Sequence, residues 1–230
     1  MYELIDAAEC VLFDFDGPIC RLFAGRPSSG IAERLRGLIE ERGEGGLLTE
    51  EVRSTDDPQV ILRAVAAARP GGELAALVER TLTQEEAEAA GTASPTRFAD
   101  RLVRALAATG RRLAVTTNNA PLAVERYLAR HGLTPHFAGH IHGRRSDTRL
   151  LKPHPDCLYR ALESTGTPPG RALMIGDSPV DRIAAEAAGV RFLGYGRTER
   201  KAGELRAAGA EHVVTSLQEV LTAVGAPTFG

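Results

Sequence analysis

The sequence predicts an α/β fold in which a doubly wound, Rossmann-like parallel sheet carries an inserted helical cap. Three observations favour this fold class. From residue 98 onward, short apolar runs alternate with amphipathic stretches, which is typical of a parallel sheet with helices on both faces. A long block with only helical patterning follows the first apolar run. Acidic or hydroxyl residues follow three of the apolar runs, so polar groups are expected at one edge of the sheet.

The composition fits one globular core with an insert and excludes several other classes. The chain has 230 residues, of which 43% are apolar and 25% charged. The formal net charge of -2 gives no sign of a basic face, so no nucleic-acid partner is expected. No apolar run approaches the ~18 residues of a membrane span, and the start lacks a secretory signal pattern, so no membrane partner is expected. Three widely spaced cysteines favour the cytoplasm, and the oligomeric state stays open.

The first strand and the block after it can be read from their apolar spacing. Cys10-Val11-Leu12-Phe13 is a continuous apolar run, which predicts a buried strand. Three amphipathic repeats then begin after Ser, Asp-Pro or Gly-Gly pairs, which predicts helices near 29–43, 57–69 and 73–90. We therefore expect a helical cap at 21–92 and an α/β core formed by 1–20 and 93–230.

The remaining elements alternate in type. Apolar periodicity, Pro at helix starts and Gly at helix ends define them. The predicted strands are 113–115, 137–141, 172–175, 190–193 and 212–214. The predicted helices are 98–110, 121–131, 155–165, 179–188 and one that begins after Ser216 with a capping box.

Three charged or polar clusters receive a plain structural interpretation. The Glu85-Glu86-Ala87-Glu88 run is expected to be a solvated helix face, and Arg144-Arg145 a solvated loop. His140 and His142 should share one face of a strand, but no cysteine or acid completes a metal set with them.

Reactive side chains follow the strands at their carboxyl ends. Asp14 and Asp16 come after the first strand, Thr117 follows the second core strand, and Asp177 follows the strand 172–175. Lys152, in a loop just before a helix, is one of only two lysines; the other 26 basic residues are arginines. Because the carboxyl ends of parallel strands meet at one edge, we expect these groups to converge.

This combination of groups suits phosphoryl transfer. Clustered carboxylates repel one another unless a cation lies among them, and oxygen ligands suit Mg²⁺. A lysine and a hydroxyl can hold phosphoryl oxygens. One carboxylate can attack phosphorus while a second, two residues away, acts as general acid and then general base.

At these positions the sequence resembles the haloacid dehalogenase superfamily of phosphohydrolases. The four motifs appear in order. The first is Asp14-Phe15-Asp16-Gly17, the second Thr117-Asn118, the third Lys152-Pro153, and the fourth Gly176-Asp177-Ser178 with Asp181. Thr116 remains an alternative to Thr117 for the second motif. Two departures from the family pattern are Pro18 after the first motif and Arg21 where many relatives have an acid.

The resemblance implies a Mg²⁺-dependent phosphatase of the phosphoglycolate-phosphatase-like subgroup, acting on a small phosphorylated metabolite through an aspartyl phosphate. It implies that Asp14 is the nucleophile and that Asp16 is the general acid/base. It also implies that Thr117 and Lys152 hold the phosphoryl group. The remaining implied roles are substrate binding by Gly17 and Asn118 and metal binding by Asp14, Asp177 and the backbone carbonyl of Asp16.

Three alternatives remain after this comparison. Asp181 could support the metal site or could serve only as a helix N-terminal charge. A phosphosugar mutase shares the four motifs, although the cap lysine of the known type is absent from residues 18–92. The chain could also be a binding module that retains the fold without catalysis.

Overall fold

The computed structural model describes residues 1–137 and 139–225. The strands in these ranges are β1 (Cys10–Phe13), β2 (Cys20–Arg21), β3 (Ser94–Pro95), β4 (Arg112–Thr116), β5 (Ile141–His142), β6 (Ala172–Gly176), β7 (Arg191–Tyr195) and β8 (Val213–Val214). Six of them form a parallel sheet in the order β5-β4-β1-β6-β7-β8, and β2 pairs with β3 in a short antiparallel ribbon. The predicted α/β fold class is therefore confirmed.

Helices cover both faces of the sheet and fill the segment between β1 and β4. In the described ranges they are α1 (Tyr2–Asp6), α2 (Ser28–Glu41), α3 (Glu50–Ser54), α4 (Pro58–Ala68), α5 (Glu73–Ala89), α6 (Ala99–Ala108), α7 (Pro121–Arg130), α8 (Thr134–Phe137), α9 (Asp156–Thr165), α10 (Pro179–Ala187), α11 (Glu199–Ala207) and α12 (Leu217–Gly225). None of these described helices has the length and apolar character needed to cross a membrane.

The central strand β1 fixes where the site lies. Its residue Phe13 is level with Val115 of β4 on one side and Ile175 of β6 on the other. The chain after each of these strands therefore leaves the sheet at the same edge. β1 is also the point where the strand order changes direction, because β4 lies on one side of it and β6 on the other. Open α/β sheets bind their ligands at such a point.

Alternation along β1 divides the core of the α/β part. Val11 and Phe13 belong to the apolar cluster on one face of the sheet, and Cys10 and Leu12 to the cluster on the other. A third apolar cluster lies within residues 31–82 and joins helices α2 to α5. We refer to residues 21–92 as the helical segment; the ribbon of β2 and β3 lies at its two ends.

One predicted strand was wrong. Phe137 ends helix α8, and the strand pairing begins only at Ile141. Leu133 and Phe137 are four residues apart and both fully buried, so their spacing is that of a helical turn. Gly139 then adopts a positive φ of 83°, which turns the chain into β5. Ala138 lies outside the described residues.

Two interpretations of charged clusters were also wrong. Glu85 is 4% exposed and Glu86 is completely buried, so this part of α5 is not a solvated face. Arg144 is 6% exposed and forms an ion pair with Glu86, whereas its neighbour Arg145 is exposed. Charge alone predicted exposure, and the buried partner on a distant element could not be seen in the sequence.

Candidate active site

A cavity of about 850 Å³ lies beyond the carboxyl ends of β1, β4 and β6. Five of the predicted site residues line it together: Asp14, Asp16, Thr117, Asn118 and Lys152. Core residues that also line it are Asn119, Ser178, Val180, Asp181, Arg200 and Lys201. The helical segment contributes Phe23, Ser28, Asp56, Asp57, Pro58 and Gln59.

Lys152 is the centre of the polar network, although it is only 2% exposed. Its Nζ donates to Asp14 Oδ1 at 2.8 Å, to Asp181 Oδ1 at 2.6 Å and to the backbone oxygen of Thr116 at 2.9 Å. Burial alone would lower the pKa of Lys152, but the Asp14 and Asp181 carboxylates outweigh burial and raise the pKa. The lysine is thus held as an ammonium against the predicted nucleophile.

The acidic side chains of the site are buried close together, which disfavours their ionised forms. Burial raises the pKa of Asp14 to about 7, and the Asp181 and Asp177 carboxylates add to the rise against the opposing effect of Lys152. Burial also raises the pKa of Asp177 to about 6, although Lys201 opposes it. A divalent cation would offset this repulsion, since an opposite charge nearby favours the ionised form.

The geometry of the acidic residues fits a hard cation. Ligand oxygens of Asp14, Asp177 and Asp181 lie within 4.8 Å of one another. Both Asp181 oxygens already accept hydrogen bonds, so Asp14 and Asp177 are the side chains best able to hold an ion. Carboxylate oxygens without cysteine or histidine partners in this group suit Mg²⁺.

Asp16 lies in the turn that follows β1. Its Oδ1 accepts a hydrogen bond from the backbone N–H of Leu22 at 2.8 Å. Burial raises the pKa of Asp16 to about 6, even though this hydrogen bond lowers it. A carboxyl group with a pKa close to neutrality is suited to both donating and accepting a proton.

Gly17 has a structural part in this turn. Its φ of 135° lies in a region that disfavours a side chain, and a Cβ there would come within 2.5 Å of Asp177 Cγ. Its N–H donates to the Cys20 oxygen at 2.7 Å, and its own oxygen accepts from Thr96 Oγ1 at 2.5 Å. Gly17 is not among the described residues that line the cavity, and its expected part in substrate binding stays a prediction.

The two neighbouring threonines differ in their surroundings. Thr117 lines the cavity, and its Oγ1 donates to Asn119 Oδ1 at 3.1 Å. Thr116 is fully buried at the end of β4, and its Oγ1 has no hydrogen-bond partner among the described residues. Successive side chains of an extended strand point to opposite faces, so only one of them can face the site. Thr117 is therefore the hydroxyl that faces the cavity.

Asp181 forms hydrogen bonds to two parts of the site. It stabilises the start of α10, because its Oδ2 accepts from the Ser178 N–H at 3.1 Å and from Ser178 Oγ at 2.7 Å. Its Oδ1 accepts from Lys152. The same carboxylate thus orders the loop that presents Asp177 and positions the lysine.

Lys201 was not predicted to belong to the site. It lies on α11, a helix that the apolar pattern does not predict because only Ala202 and Leu205 are buried there. Its Nζ forms an ion pair with Asp177 Oδ2, and it lines the cavity. The scarcity of lysine was the available signal, since both lysines of the chain lie at this site.

A sequence model of the haloacid dehalogenase-like hydrolases matches residues 8–189. With its parallel sheet and the acidic cavity beside β1, the chain belongs to the haloacid dehalogenase-like hydrolase family.

Relatives and solved structures agree with this assignment. The phosphoglycolate phosphatase of Yersinia pestis is 32% identical over 126 residues, which are 54% of this chain and 53% of that protein. That of Escherichia coli (strain K12) is 34% identical over 125 residues, 54% of this chain and 48% of that protein. The chain thus spans about half the length of these curated relatives.

The crystal structure of CbbY from Rhodobacter sphaeroides in complex with phosphate is similar with a TM-score of 0.67 and 22% identity, covering 95% of this chain and all of that one. A predicted phosphatase from Clostridium acetobutylicum has a TM-score of 0.66 and 20% identity, covering 94% of this chain and 97% of that one. At these identities the similarity shows the fold.

Proposed function

We propose that this protein is a Mg²⁺-dependent phosphatase that hydrolyses a small phosphorylated metabolite through an aspartyl phosphate. The observation that carries the proposal is the contact between the buried Lys152 ammonium and Asp14 in a cavity that Asp16 and Thr117 also line. The names of the curated relatives support the same reaction class.

In the first step, Lys152 and Thr117 hold the oxygens of the phosphoryl group. An Asp14 oxygen attacks phosphorus, the bond from phosphorus to the leaving oxygen breaks, and the Asp16 carboxyl gives its proton to that oxygen. Asp14, Asp177 and the backbone oxygen of Asp16 would hold Mg²⁺, which would supply positive charge to offset the negative charge of the phosphoryl oxygens.

In the second step, Asp16 acts as a general base. Its carboxylate takes a proton from water, the water oxygen attacks phosphorus, and the bond between phosphorus and Asp14 breaks. Inorganic phosphate leaves, and both aspartates return to their starting protonation states. Lys152 stays beside Asp14 throughout and offsets the negative charge that reappears on its carboxylate.

The helical segment is proposed to act as a cap that selects the substrate. Its residues line the same cavity as Lys152 and Thr117. We expect them to contact the leaving group, whereas the core holds the phosphoryl group that all substrates share. The three cysteines are buried free thiols, which supports a reducing cytoplasm as the place of the reaction.

The first test is hydrolysis of p-nitrophenyl phosphate and of a panel of phosphorylated metabolites. Activity should need Mg²⁺, disappear in EDTA and return when Mg²⁺ is restored. Ca²⁺ should bind without supporting turnover, because its larger and looser shell misplaces the reacting groups. Full activity in chelator would contradict the metal-assisted reaction.

The second test is Asp14→Asn, which keeps the side-chain shape and removes the attacking charge. We expect kcat to fall by at least ~10³, which corresponds to ~4 kcal/mol of barrier. Fluoroberyllate should bind the wild type as a mimic of the aspartyl phosphate. Turnover of the variant within tenfold of the wild type would refute the role of Asp14.

A further inference from the structure

Glu86 and Arg144 form an ion pair whose side chains are both completely shielded from solvent. Arg144 Nη1 donates to Glu86 Oε1 at 3.0 Å. Burial of such a pair costs several kcal/mol per ion, and an apolar pair of similar volume often stabilises a protein as well or better. The hydrogen bonds of the pair point to a role other than stability.

The pair holds the loop that follows β4. The Glu86 carboxylate accepts from Asn119 Nδ2 at 3.0 Å and from the backbone N–H of Ala120 at 2.8 Å, at the N-terminus of α7. Arg144 Nη1 also donates to the backbone oxygen of Asn118 at 3.0 Å. Three consecutive loop residues are thus fixed by one buried pair.

This loop positions both groups that are proposed to hold the phosphoryl group. Asn119 accepts from Thr117 Oγ1 through its side chain and donates to the same oxygen through its N–H, both at 3.1 Å. Asn118 Oδ1 accepts from the Lys152 N–H at 2.7 Å, and its Nδ2 donates to the Lys152 oxygen at 3.2 Å. Movement of the loop would therefore displace the hydroxyl and the lysine together.

The pair also connects the loop to the helical segment. Glu86 lies on α5, and Arg144 donates to two more residues of that helix, Thr83 Oγ1 at 3.1 Å and Glu79 Oε1 at 3.3 Å. Through Arg144 and Glu86, residues 79–86 of α5 are thereby connected to the phosphoryl-binding loop. A shift of α5 would therefore move Asn119 and, with it, the Thr117 hydroxyl.

We propose that Glu86 and Arg144 are positioning residues that hold Asn119 so that the Thr117 hydroxyl faces the phosphoryl group. The pair thereby couples the last helix of the helical segment to phosphoryl binding. This inference rests on the proposed function, because it concerns the same site.

The test is Glu86→Gln, which keeps the shape but directs an NH₂ group at donors. Affinity for inorganic phosphate is measured by calorimetry with Mg²⁺, together with kcat and KM for p-nitrophenyl phosphate, at a temperature where circular dichroism shows a folded protein. We expect phosphate to bind at least fivefold more weakly and kcat/KM to fall at least tenfold. Unchanged phosphate affinity in the folded variant would overturn the positioning role.

Glu85→Gln is the matched control. Glu85 is adjacent on the same helix and 4% exposed, and it forms ion pairs with Arg26 and Arg34 inside the helical segment. It makes no hydrogen bond to the phosphoryl-binding loop among the described residues. Phosphate affinity should stay within twofold of the wild type, even where thermal stability falls. Equal losses of phosphate affinity in the two variants would show a general effect of α5 packing and overturn the proposal.

A double-mutant cycle with Thr117→Val tests whether Glu86 acts through Asn119 on the Thr117 hydroxyl. If Glu86 acts through the Thr117 hydroxyl, Glu86→Gln should weaken phosphate binding less once that hydroxyl is gone than it does in the wild type, and the loss that remains would come from displacement of Lys152. A full fivefold loss in the Thr117→Val background would overturn the path through Asn119.

Should Glu86→Gln fail to fold, the apolar pair Glu86→Leu with Arg144→Met replaces it. This double variant is expected to fold and to bind phosphate at least fivefold more weakly than the wild type. Phosphate affinity equal to that of the wild type would overturn the positioning role of the pair. Phosphate binding remains measurable even if the wild type hydrolyses no ester, so failure of the proposed function would be seen separately.

Discussion

Asp16 and Asp14 are two residues apart, yet the structure surrounds them differently. Asp14 is held by the Lys152 ammonium, whereas Asp16 accepts a hydrogen bond from a neutral backbone N–H. Burial raises the pKa of both carboxyl groups, to about 7 and about 6. The contact that distinguishes them is the one with Lys152, whose ammonium lies against the proposed nucleophile, whereas the proposed acid/base forms no ion pair among the described residues.

This difference predicts the outcome of Asp16→Asn. The amide can still accept the hydrogen bond from Leu22, but it cannot donate or accept the catalytic proton, so kcat should fall by roughly 10²–10⁴. Mg²⁺ affinity measured by calorimetry should stay close to wild type, because the proposed metal contact of Asp16 is its backbone oxygen. Loss of metal binding in this variant would show that the side chain is itself a ligand.

The two threonines after β4 provide a matched pair of substitutions. Thr117→Val should weaken phosphate binding by about 10- to 100-fold, since a hydrogen bond to a charged group contributes roughly 1.5–3 kcal/mol. Thr116→Val should leave activity within twofold and keep or raise the melting temperature, because the buried Thr116 hydroxyl lacks a partner in the described structure. Steady-state kinetics and thermal melts of both variants test this difference. A larger loss of activity in Thr116→Val than in Thr117→Val would assign the phosphate contact to Thr116.

Among the secondary-structure elements, the short edge strand β5 is connected to α9 by two histidines, one just before the strand and one in it. His140 Nδ1 and His142 Nε2 both lie within hydrogen-bond distance of Ser164 Oγ, at 3.0 and 2.8 Å. The expectation that they share a face is thereby confirmed. Burial lowers the pKa of His142 to about 4, and the positive charge of Arg160 adds to this effect.

The lowered pKa of His142 predicts a loss of stability in acid. Between about pH 6.5 and 4 the unfolded chain binds a proton at this histidine and the folded chain does not, so the free energy of unfolding decreases as the pH falls. The melting temperature of the wild type should therefore fall more between pH 7.5 and 5 than that of His142→Gln. Each kcal/mol lost from the free energy of unfolding should lower the melting temperature by about 2–4 °C. An equal fall in melting temperature for the two proteins between pH 7.5 and 5 would contradict the prediction.

At the scale of the molecule, the helical segment and the core share the walls of one cavity. The core residues that line it include the bases Lys152, Arg200 and Lys201 as well as the acids of the proposed catalytic site, whereas the charged residues of the helical segment there are the exposed acids Asp56 and Asp57. The helical segment therefore contributes an acidic surface to the cavity. Such a surface disfavours a leaving group that carries its own carboxylate.

Asp56→Ala tests whether this surface selects the substrate. Asp57 is left intact, because it accepts from the Gln59 N–H at the start of α4. We expect kcat/KM for phosphoglycolate to rise about fivefold relative to glycerol phosphate, as removal of one nearby charge is worth about 1 kcal/mol in water. The rate with p-nitrophenyl phosphate should stay within twofold.

The matched control for Asp56→Ala is Glu51→Ala, which removes the same charge from an exposed position on α3 that does not line the cavity. Its substrate ratio should equal that of the wild type. The same shift in both variants would attribute the effect to overall charge, and no shift in Asp56→Ala would remove this residue from substrate selection.

The fold class and most of the residues that meet at the site follow from local patterns in the sequence. Apolar runs such as Cys10–Phe13 and their polar ends are local patterns, and a parallel sheet brings such ends to one edge whatever the details of packing. Short elements were less predictable: the strand expected at 137–141 was wrong, and helix α11 was missed, because few apolar residues define them.

The burial of charged groups, and the partners they find there, became visible only in the folded chain. The Glu86–Arg144 pair joins residues 58 positions apart, and Lys201 reaches Asp177 from a helix 24 positions away. In the sequence these residues resemble other solvated charges, because the desolvation cost and the compensating partner arise only when separate elements pack together. The physical reason is that periodicity records the face a residue lies on, whereas ion pairing depends on distances that the folded chain sets.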